Sequence, residues 1–277
     1  MNSIGGCQTR SDVDLVAIIR PVSNTIDQCQ LTHLRRDKID LARAEKQHAD
    51  YVEVLRACGC HIIQLPPEHE CPDAVFVEDT AIVVNEIAVM TRPGAPSRRE
   101  EVASVRKVLV GYRDIRSIDD GATLDGGDVV RAENRLWVGV STRTTARGAE
   151  SLGHCLSSFG YEVAPVQVHN CLHLKSACCA LDQETLLYNP AWIDASHFQD
   201  MRCIEVDPTE PMAANVVGVG DRLLVAAAHP RTADLLDVAG YQIEIIEADE
   251  LAKAEGALTC CSIIFRTLNS VSSQMDY

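Results

Sequence analysis

The chain is 277 residues long, 46% apolar and 23% charged, with 25 basic against 40 acidic side chains and a net charge of −15. That length and apolar content suffice to bury a substantial core, while no run approaches the ~18 apolar residues of a membrane span. The acidic balance argues against a nucleic-acid partner and favours a small cationic one. Twelve cysteines are spaced irregularly and form no Cys-x-x-Cys, though Cys58 and Cys60, Cys178 and Cys179, and Cys260 and Cys261 stand close. Met1 to Asp14 is polar and lacks a signal-peptide core, so the thiols are read as reduced and the protein as cytoplasmic. A disulfide framework is the lesser alternative.

Leu15 to Ile19 reads as a buried first strand, stopped by Arg20-Pro21. A polar loop from Val22 to Arg36 carries Leu31 and Leu34. Lys38 to Cys58 is helical, with Leu41, Ala44, His48, Val52 and Leu55 at three- and four-residue spacing, and Gly59 ends it. His61 to Leu65 is a strand. Next comes Pro72-Asp-Ala-Val-Phe-Val-Glu-Asp-Thr80, with three carboxylates in an apolar, β-branched run. Read as a strand, it puts Asp73 and Asp79 on one side and Glu78 on the other. Burying unpaired charge is costly, so these acids are expected to line a pocket for a cation. A solvated strand end is the plainer alternative.

A unit then repeats. Thr80 to Val84, a turn at Asn85-Glu86, Ile87 to Thr91 and a helix Arg99 to Val110 close at Gly111-Tyr112. The second copy runs from Asp128 through Glu133-Asn134 and a helix Arg147 to Phe159, closing at Gly160-Tyr161. The third is Cys178 to Leu181, Gln183-Glu184, Thr185 to Tyr188 and a poorer helix from Ala195. The fourth is Asn215 to Val219, Gly220-Asp221, Arg222 to Ala227 and Arg231 to Val238, closing at Gly240-Tyr241. The turns lie 48, 50 and 37 residues apart, and a short strand follows each closing glycine. One unit cannot bury both faces alone, so several pack around a shared centre. Pairing Leu258 to Leu268 with Leu15 to Ile19 closes the ring and removes an edge. The expectation is a single α/β domain over residues 1–277, core about 15–268, of five quasi-equivalent units closed by the N- and C-terminal segments. An ordinary α+β fold with accidental periodicity competes with it. The polar tail Asn269 to Tyr277 is expected to fray.

Reactive residues are sought where units meet. In Thr123-Leu-Asp-Gly-Gly-Asp128 two glycines permit close backbone approach. His173 stands between apolar neighbours, where a packed core histidine is the commoner outcome. His169, Cys171 and His173 lack a regularly spaced fourth ligand for a structural metal. Alternation through Leu258-Thr-Cys-Cys-Ser262 turns one cysteine to a pocket and one to packing. Arg98 and Arg143 lie in polar loops, and a planar fork suits carboxylate recognition. A cysteine, a histidine and a carboxylate make a nucleophilic set. Acids for a cation and arginines for a carboxylate describe arginine or a derivative.

These motifs together, in this order, resemble the dimethylarginine dimethylaminohydrolase family of the pentein superfamily, over roughly Leu15 to Phe265. The resemblance rests on Pro72–Asp79, Thr91-Arg-Pro-Gly-Ala-Pro-Ser-Arg98, Ala122–Asp128, Ser141-Thr-Arg143, Leu172–Ser176 and Leu258–Ser262. It implies a five-bladed ββαβ propeller. It implies Cys260 as nucleophile, His173 as general acid and base, and Asp125, shorter than the Glu of many relatives, as the group that orients it. It implies Asp73, Glu78 and Asp79 around the guanidinium and Arg98 and Arg143 on the α-carboxylate. Leu34 and Ala254 stand where the family uses backbone oxygens, with looser matches. No cofactor is implied; zinc at Cys260 and His173 is expected only as an inhibitor. The implied reaction hydrolyses methylated arginines to citrulline and an amine through a Cys260 thiouronium. A deiminase of arginine or agmatine, and a catalytically silent relative that binds ligand or protein, are the competing functions.

Overall fold

The computed structural model describes residues 14–267, and among them five three-stranded sheets are arranged as successive blades. In chain order the elements begin with β1 (Leu15–Ile19), α1 (Leu41–Ala57) and β2 (Cys60–Gln64). Blade 2 holds β3 (Ala81–Val83), β4 (Ile87–Met90), α2 (Val102–Leu109) and β5 (Asp114–Ser117). Blade 3 holds β6 (Val129–Ala132), β7 (Arg135–Val140), α3 (Ala146–Leu156) and β8 (Glu162–Gln167). The one-turn α4 (Leu174–Ala177) leads into blade 4, made of β9 (Cys178–Ala180), β10 (Thr185–Tyr188) and β11 (Arg202–Glu205). Blade 5 is β12 (Val217–Val219), β13 (Arg222–Ala226), α5 (Pro230–Val238) and β14 (Gln242–Ile246). After α6 (Asp249–Ala252) the chain ends its described part in β15 (Ile263–Arg266).

Blades 2 to 5 have one plan: the first strand pairs antiparallel with the second, and the second pairs parallel with the third. Blade 1 borrows its first strand from the far end of the chain. β15 runs antiparallel to β1, Leu15 opposite Arg266 and Ile18 opposite Ile263, while β1 pairs parallel with β2. The expected closure of the ring is therefore present. Leu268 and the tail from Asn269, like Met1 to Val13, lie outside the described residues.

The middle strands are near-continuously apolar because both of their faces are buried. Alternation here selects a neighbouring blade rather than core or solvent. Val16 and Ile18 pack towards blade 2, whereas Ala17 and Ile19 pack towards blade 5. Leu136 and Val138 meet blade 2, and Trp137 meets blade 4. Leu187 packs with Leu223 and Val225 of blade 5, and Leu186 with Trp137 of blade 3. Five apolar cores thus alternate with five sheets.

Two local expectations are corrected. The stretch Pro72–Thr80 is not a strand: it runs through tight turns into a 3-10 turn, Val77–Thr80. Val75, Phe76 and Val77 are all buried, so no two-faced extended segment accommodates them. Likewise Thr259–Cys261 is a 3-10 turn, although the two cysteines still part company, Cys261 into the core and Cys260 partly exposed. Of the Gly-Tyr helix ends, Gly160 and Gly240 take left-handed φ of 79° and 97°. Gly111 closes α2 instead by donating to the Val108 carbonyl.

Candidate active site

The first strand of each blade lines a central channel of about 320 Å³, through Ala81, Ile82 and Val83, Val129 and Val130, Cys179 and Ala180, Gly218, and Ile263 and Ile264. The segment that enters each first strand therefore arrives at one end of that channel. These five entries are Val77–Thr80, Gly126–Asp128, His173 with α4, Asn215, and Thr259–Cys261. Residues more than 180 positions apart meet because the repeat delivers them to equivalent places.

Close approach at this end demands glycine. A Cβ on Gly126 would sit 2.0 Å from the Glu78 carbonyl oxygen, and one on Gly127 would sit 2.7 Å from His173 Nδ1. The Gly127 N–H instead donates to Asp79 Oδ1 at 2.8 Å. His173 Nε2 lies 3.1 Å from Asp125 Oδ2. The other Asp125 oxygen accepts from Gly94 N–H at 2.8 Å, and the Asp125 N–H donates to Thr144 Oγ1. Asp128, fully buried, accepts from Leu174 N–H at 2.9 Å and from the Ser141 hydroxyl at 2.7 Å. Burial alone would push the His173 imidazole down, but Asp79, Asp128 and Asp125 reverse that and hold it up at about 9. Asp79 is held down at about 2: burial opposes this, and the His173 and Arg98 charges outweigh it. Desolvation, reinforced by Glu78 and Asp79, pushes the Cys260 thiol up to about 12 against a smaller pull from Lys175. The site thus presents an imidazolium and a neutral thiol beside an ionised carboxylate.

The Cys260 turn is fixed from both sides. Thr259 N–H donates to Asn215 Oδ1 at 3.1 Å, and Asn215 Nδ2 donates to Thr259 Oγ1 at 2.9 Å and to the Lys175 carbonyl at 3.2 Å. The Thr259 hydroxyl donates to Glu78 Oε2 at 2.9 Å, and Lys175 pairs with the other Glu78 oxygen. Glu78 and Lys175 line the channel at the end where the first strands begin.

A sequence family described as "N,N dimethylarginine dimethylhydrolase, eukaryotic" matches residues 18–179. The N(G),N(G)-dimethylarginine dimethylaminohydrolase of Streptomyces coelicolor is 37% identical, over 91% of this chain and 97% of that one. The chain belongs to the dimethylarginine dimethylaminohydrolase family. The enzyme of that name from Pseudomonas aeruginosa is 32% identical over 88% of this chain and 96% of its own. A structure of the Pseudomonas aeruginosa protein, a cysteine-to-serine mutant complexed with citrulline, superposes with a TM-score of 0.86 over 90% of this chain and 98% of that chain. The N-terminal domain of ArgZ, a cyanobacterial arginine dihydrolase, superposes with a TM-score of 0.81 over 91% and 97% at 20% identity, which shows the shared pentein fold alone. As a member of the dimethylarginine dimethylaminohydrolase family this chain is a hydrolase of amidine C–N bonds.

The expected residues do not all gather at one point. Asp79, Asp125 and His173 do: one donor atom of each lies within 4.8 Å of the others, a set that does not include the Cys260 sulfur expected beside His173 in a zinc site. Glu78 turns to Lys175 and Thr259. Asp73, buried, accepts from the Gln30 N–H at 3.1 Å, and burial raises its pKa against the pull of Arg98. Arg98 is buried rather than free: it pairs with Asp79 and Glu101 and donates to the Phe76 carbonyl at 2.8 Å. Arg143 reaches the Thr32 hydroxyl at 3.2 Å, in the exposed loop that carries Leu34. Ala254 is buried beside the exposed end of that loop, where Glu255 meets the Leu34 N–H. Sequence reasoning missed Asn215 and assigned no role to Asp128, Lys175 or Glu101. Asn215 was findable by inspecting the few residues ahead of each blade's first strand, since it stands just before β12 as Glu78, Asp128 and Lys175 stand just before β3, β6 and β9.

Proposed function

We propose that the protein hydrolyses Nω-methylated arginines, asymmetric dimethylarginine and monomethylarginine, to citrulline and dimethylamine or methylamine. The observation that carries this reading is the Asp79, Asp125 and His173 cluster at the channel end where the Cys260 turn also arrives, with the Asp79 charge acting on the Cys260 thiol. Guanidinium carbon is a poor electrophile because its charge is spread over three nitrogens. A guanidinium held by Asp79 supplies the positive charge that the Cys260 sulfur lacks, so the thiol gives up its proton to water only when substrate is present. The thiolate adds to the guanidinium carbon, His173 gives its proton to the departing amine, and the C–N bond breaks to leave a thiouronium on Cys260. Neutral His173 then takes a proton from water. The hydroxide adds to the same carbon, its remaining proton passes to the sulfur as the C–S bond breaks, and neutral citrulline leaves with the Cys260 thiol restored.

Asp125 holds the His173 ring. Arg143, hydrogen-bonded to a loop hydroxyl, is the freer arm for the substrate carboxylate. Arg98, the second expected arm, also fixes Asp79, so its loss acts on both. Asp73 stands with Asp79 on the guanidinium side, and Leu34 and Ala254 offer backbone oxygens to the α-ammonium. The likeness to the Streptomyces and Pseudomonas enzymes supports this substrate class over arginine or agmatine. Incubation with dimethylarginine, monomethylarginine, arginine and agmatine, with citrulline measured, tests it. Citrulline forms from the methylated pair and is lost by about 10³-fold or more in Cys260→Ser. Turnover of arginine or agmatine in preference, or undiminished turnover by Cys260→Ser, overturns it.

A further inference from the structure

Three of the contacts that hold the loop before α1 bear on the site, and two of them are to groups the substrate would need. The Gln30 N–H occupies Asp73, and the Thr32 hydroxyl occupies Arg143. The third is different. The Glu255 carboxylate accepts from three successive N–H groups, Thr32 at 2.9 Å and His33 and Leu34 at 2.5 Å. Hydrogen bonds to an ionised acceptor are the stronger kind, and three on one carboxylate fix a short segment tightly.

Glu255 is itself a fixed point. It has a left-handed φ of 57°, which is uncommon outside glycine and asparagine and persists only where the surroundings impose it. They do so here: Ala254 N–H and Gly256 N–H both donate to the Leu251 carbonyl, and Glu255 N–H donates to Ala252. Gly256 lies so flat on the buried Phe76 ring that a Cβ would fall 2.1 Å from it. Phe76 belongs to the acidic segment, so the Glu255 turn is built against the residues that hold Asp79.

We propose that Glu255 is a positioning residue for the amino-acid end of the substrate, fixing the Leu34 backbone against that of Ala254 while Asp73 and Arg143 exchange loop contacts for substrate. The proposal rests on the methylarginine reading above. It predicts a division of labour: Glu255 governs recognition of the α-ammonium end and leaves the guanidinium chemistry alone.

The experiment compares the wild type with Glu255→Asn and Glu255→Gln on two substrates. One is asymmetric dimethylarginine; the other is 5-(N′,N′-dimethylguanidino)pentanoate, which has the same guanidinium and carboxylate but no α-ammonium. Asparagine accepts the left-handed backbone, so folding is retained while the reach is lost. Glu255→Asn raises KM for dimethylarginine by about tenfold with kcat within about twofold, and leaves kcat/KM for the pentanoate unchanged. Glu255→Gln, which keeps the reach and one oxygen, falls between. Trypsin supplies a readout without turnover, because Arg35 and Arg36 are exposed in the tethered loop. Mass mapping shows faster cleavage there in Glu255→Asn. Equal losses on both substrates, or unchanged KM and unchanged cleavage, overturn the proposal. If the wild type turns over no methylarginine the functional reading fails, and unchanged cleavage then sinks the tether as well.

Discussion

One imidazole facing three carboxylates has a definite electrostatic sign. His173 is 6% exposed, and burial would make it neutral, yet Asp79, Asp128 and Asp125 hold it protonated to about 9. A group whose folded pKa lies above its unfolded value of about 6.5 contributes stability that is full below 6.5 and lost as pH rises through 9. The wild type is therefore expected to exceed His173→Gln by up to about 3 kcal/mol at pH 6, a margin that shrinks towards pH 9 in urea titrations. In the proposed reaction the same proton is delivered to the leaving amine, so kcat/KM is expected to descend on a limb near pH 9. A limb near 6.5 would mean that the carboxylates do not act on the ring. Asp125→Asn leaves two of the three charges but removes the orienting bond, and is expected to lower kcat by about 10²–10⁴. Cys260 makes the complementary case. With its thiol at about 12, alkylation of Cys260 by neutral iodoacetamide climbs without a plateau from pH 7 to 10, and arginine in the buffer speeds it at pH 7.

The elements that matter most are the shortest ones. Asn215 belongs to no strand or helix, yet it ties the entry of blade 5 to Thr259 and Lys175. Asn215→Ala leaves the buried Thr259 N–H and the Lys175 carbonyl without Asn215 as partner, which costs about 1–3 kcal/mol, and frees the Cys260 turn. Its kcat is expected to fall by tenfold or more while KM changes little, because the damage lies at the proposed reacting sulfur and not at the substrate's remote end. A fall in stability with kcat intact would make Asn215 a purely structural tie. This scale also marks where sequence reading succeeds. The hairpin turns at Asn85-Glu86, Glu133-Asn134 and Gly220-Asp221 were legible because tight polar turns interrupt strands that are apolar on both faces. The closing pair of β1 and β15 was legible because each lacked a nearby hairpin partner. The acidic segment was not, since period-two alternation cannot distinguish a strand from successive turns when Val75, Phe76 and Val77 are all core residues. Asp79 and His173 were legible as reactive types, whereas the commitment of Glu78 to Lys175 depends on a contact between blades that local pattern does not carry, and that of Arg98 to Glu101, three residues on, depends on the burial of a segment read as a polar loop.

The ring as a whole makes the site and the fold one object. A net charge of −15 attracts a cationic substrate from a distance, so KM for dimethylarginine is expected to rise between 20 and 300 mM NaCl as the field is screened. Closure has the stronger consequence. The strand that completes blade 1 begins two residues after Cys261, so whatever loosens β15 loosens the turn of the proposed nucleophile. Phe265 anchors that strand: it is 6% exposed, meets the Tyr112 ring edge-on at 5.3 Å, and carries the Arg113 guanidinium 5.5 Å above its face. Phe265→Ala opens a cavity between blades 1 and 2 at a cost of about 3–5 kcal/mol. In an open row of blades such a loss would stay local and leave the chemistry untouched. In a closed ring β15 has partners on both sides of the seam, so the urea midpoint and citrulline formation at sub-denaturing urea are expected to fall together. Activity that outlasts the fluorescence change of Trp137 and Trp192, in blades 3 and 4, would show that the site survives without the closure.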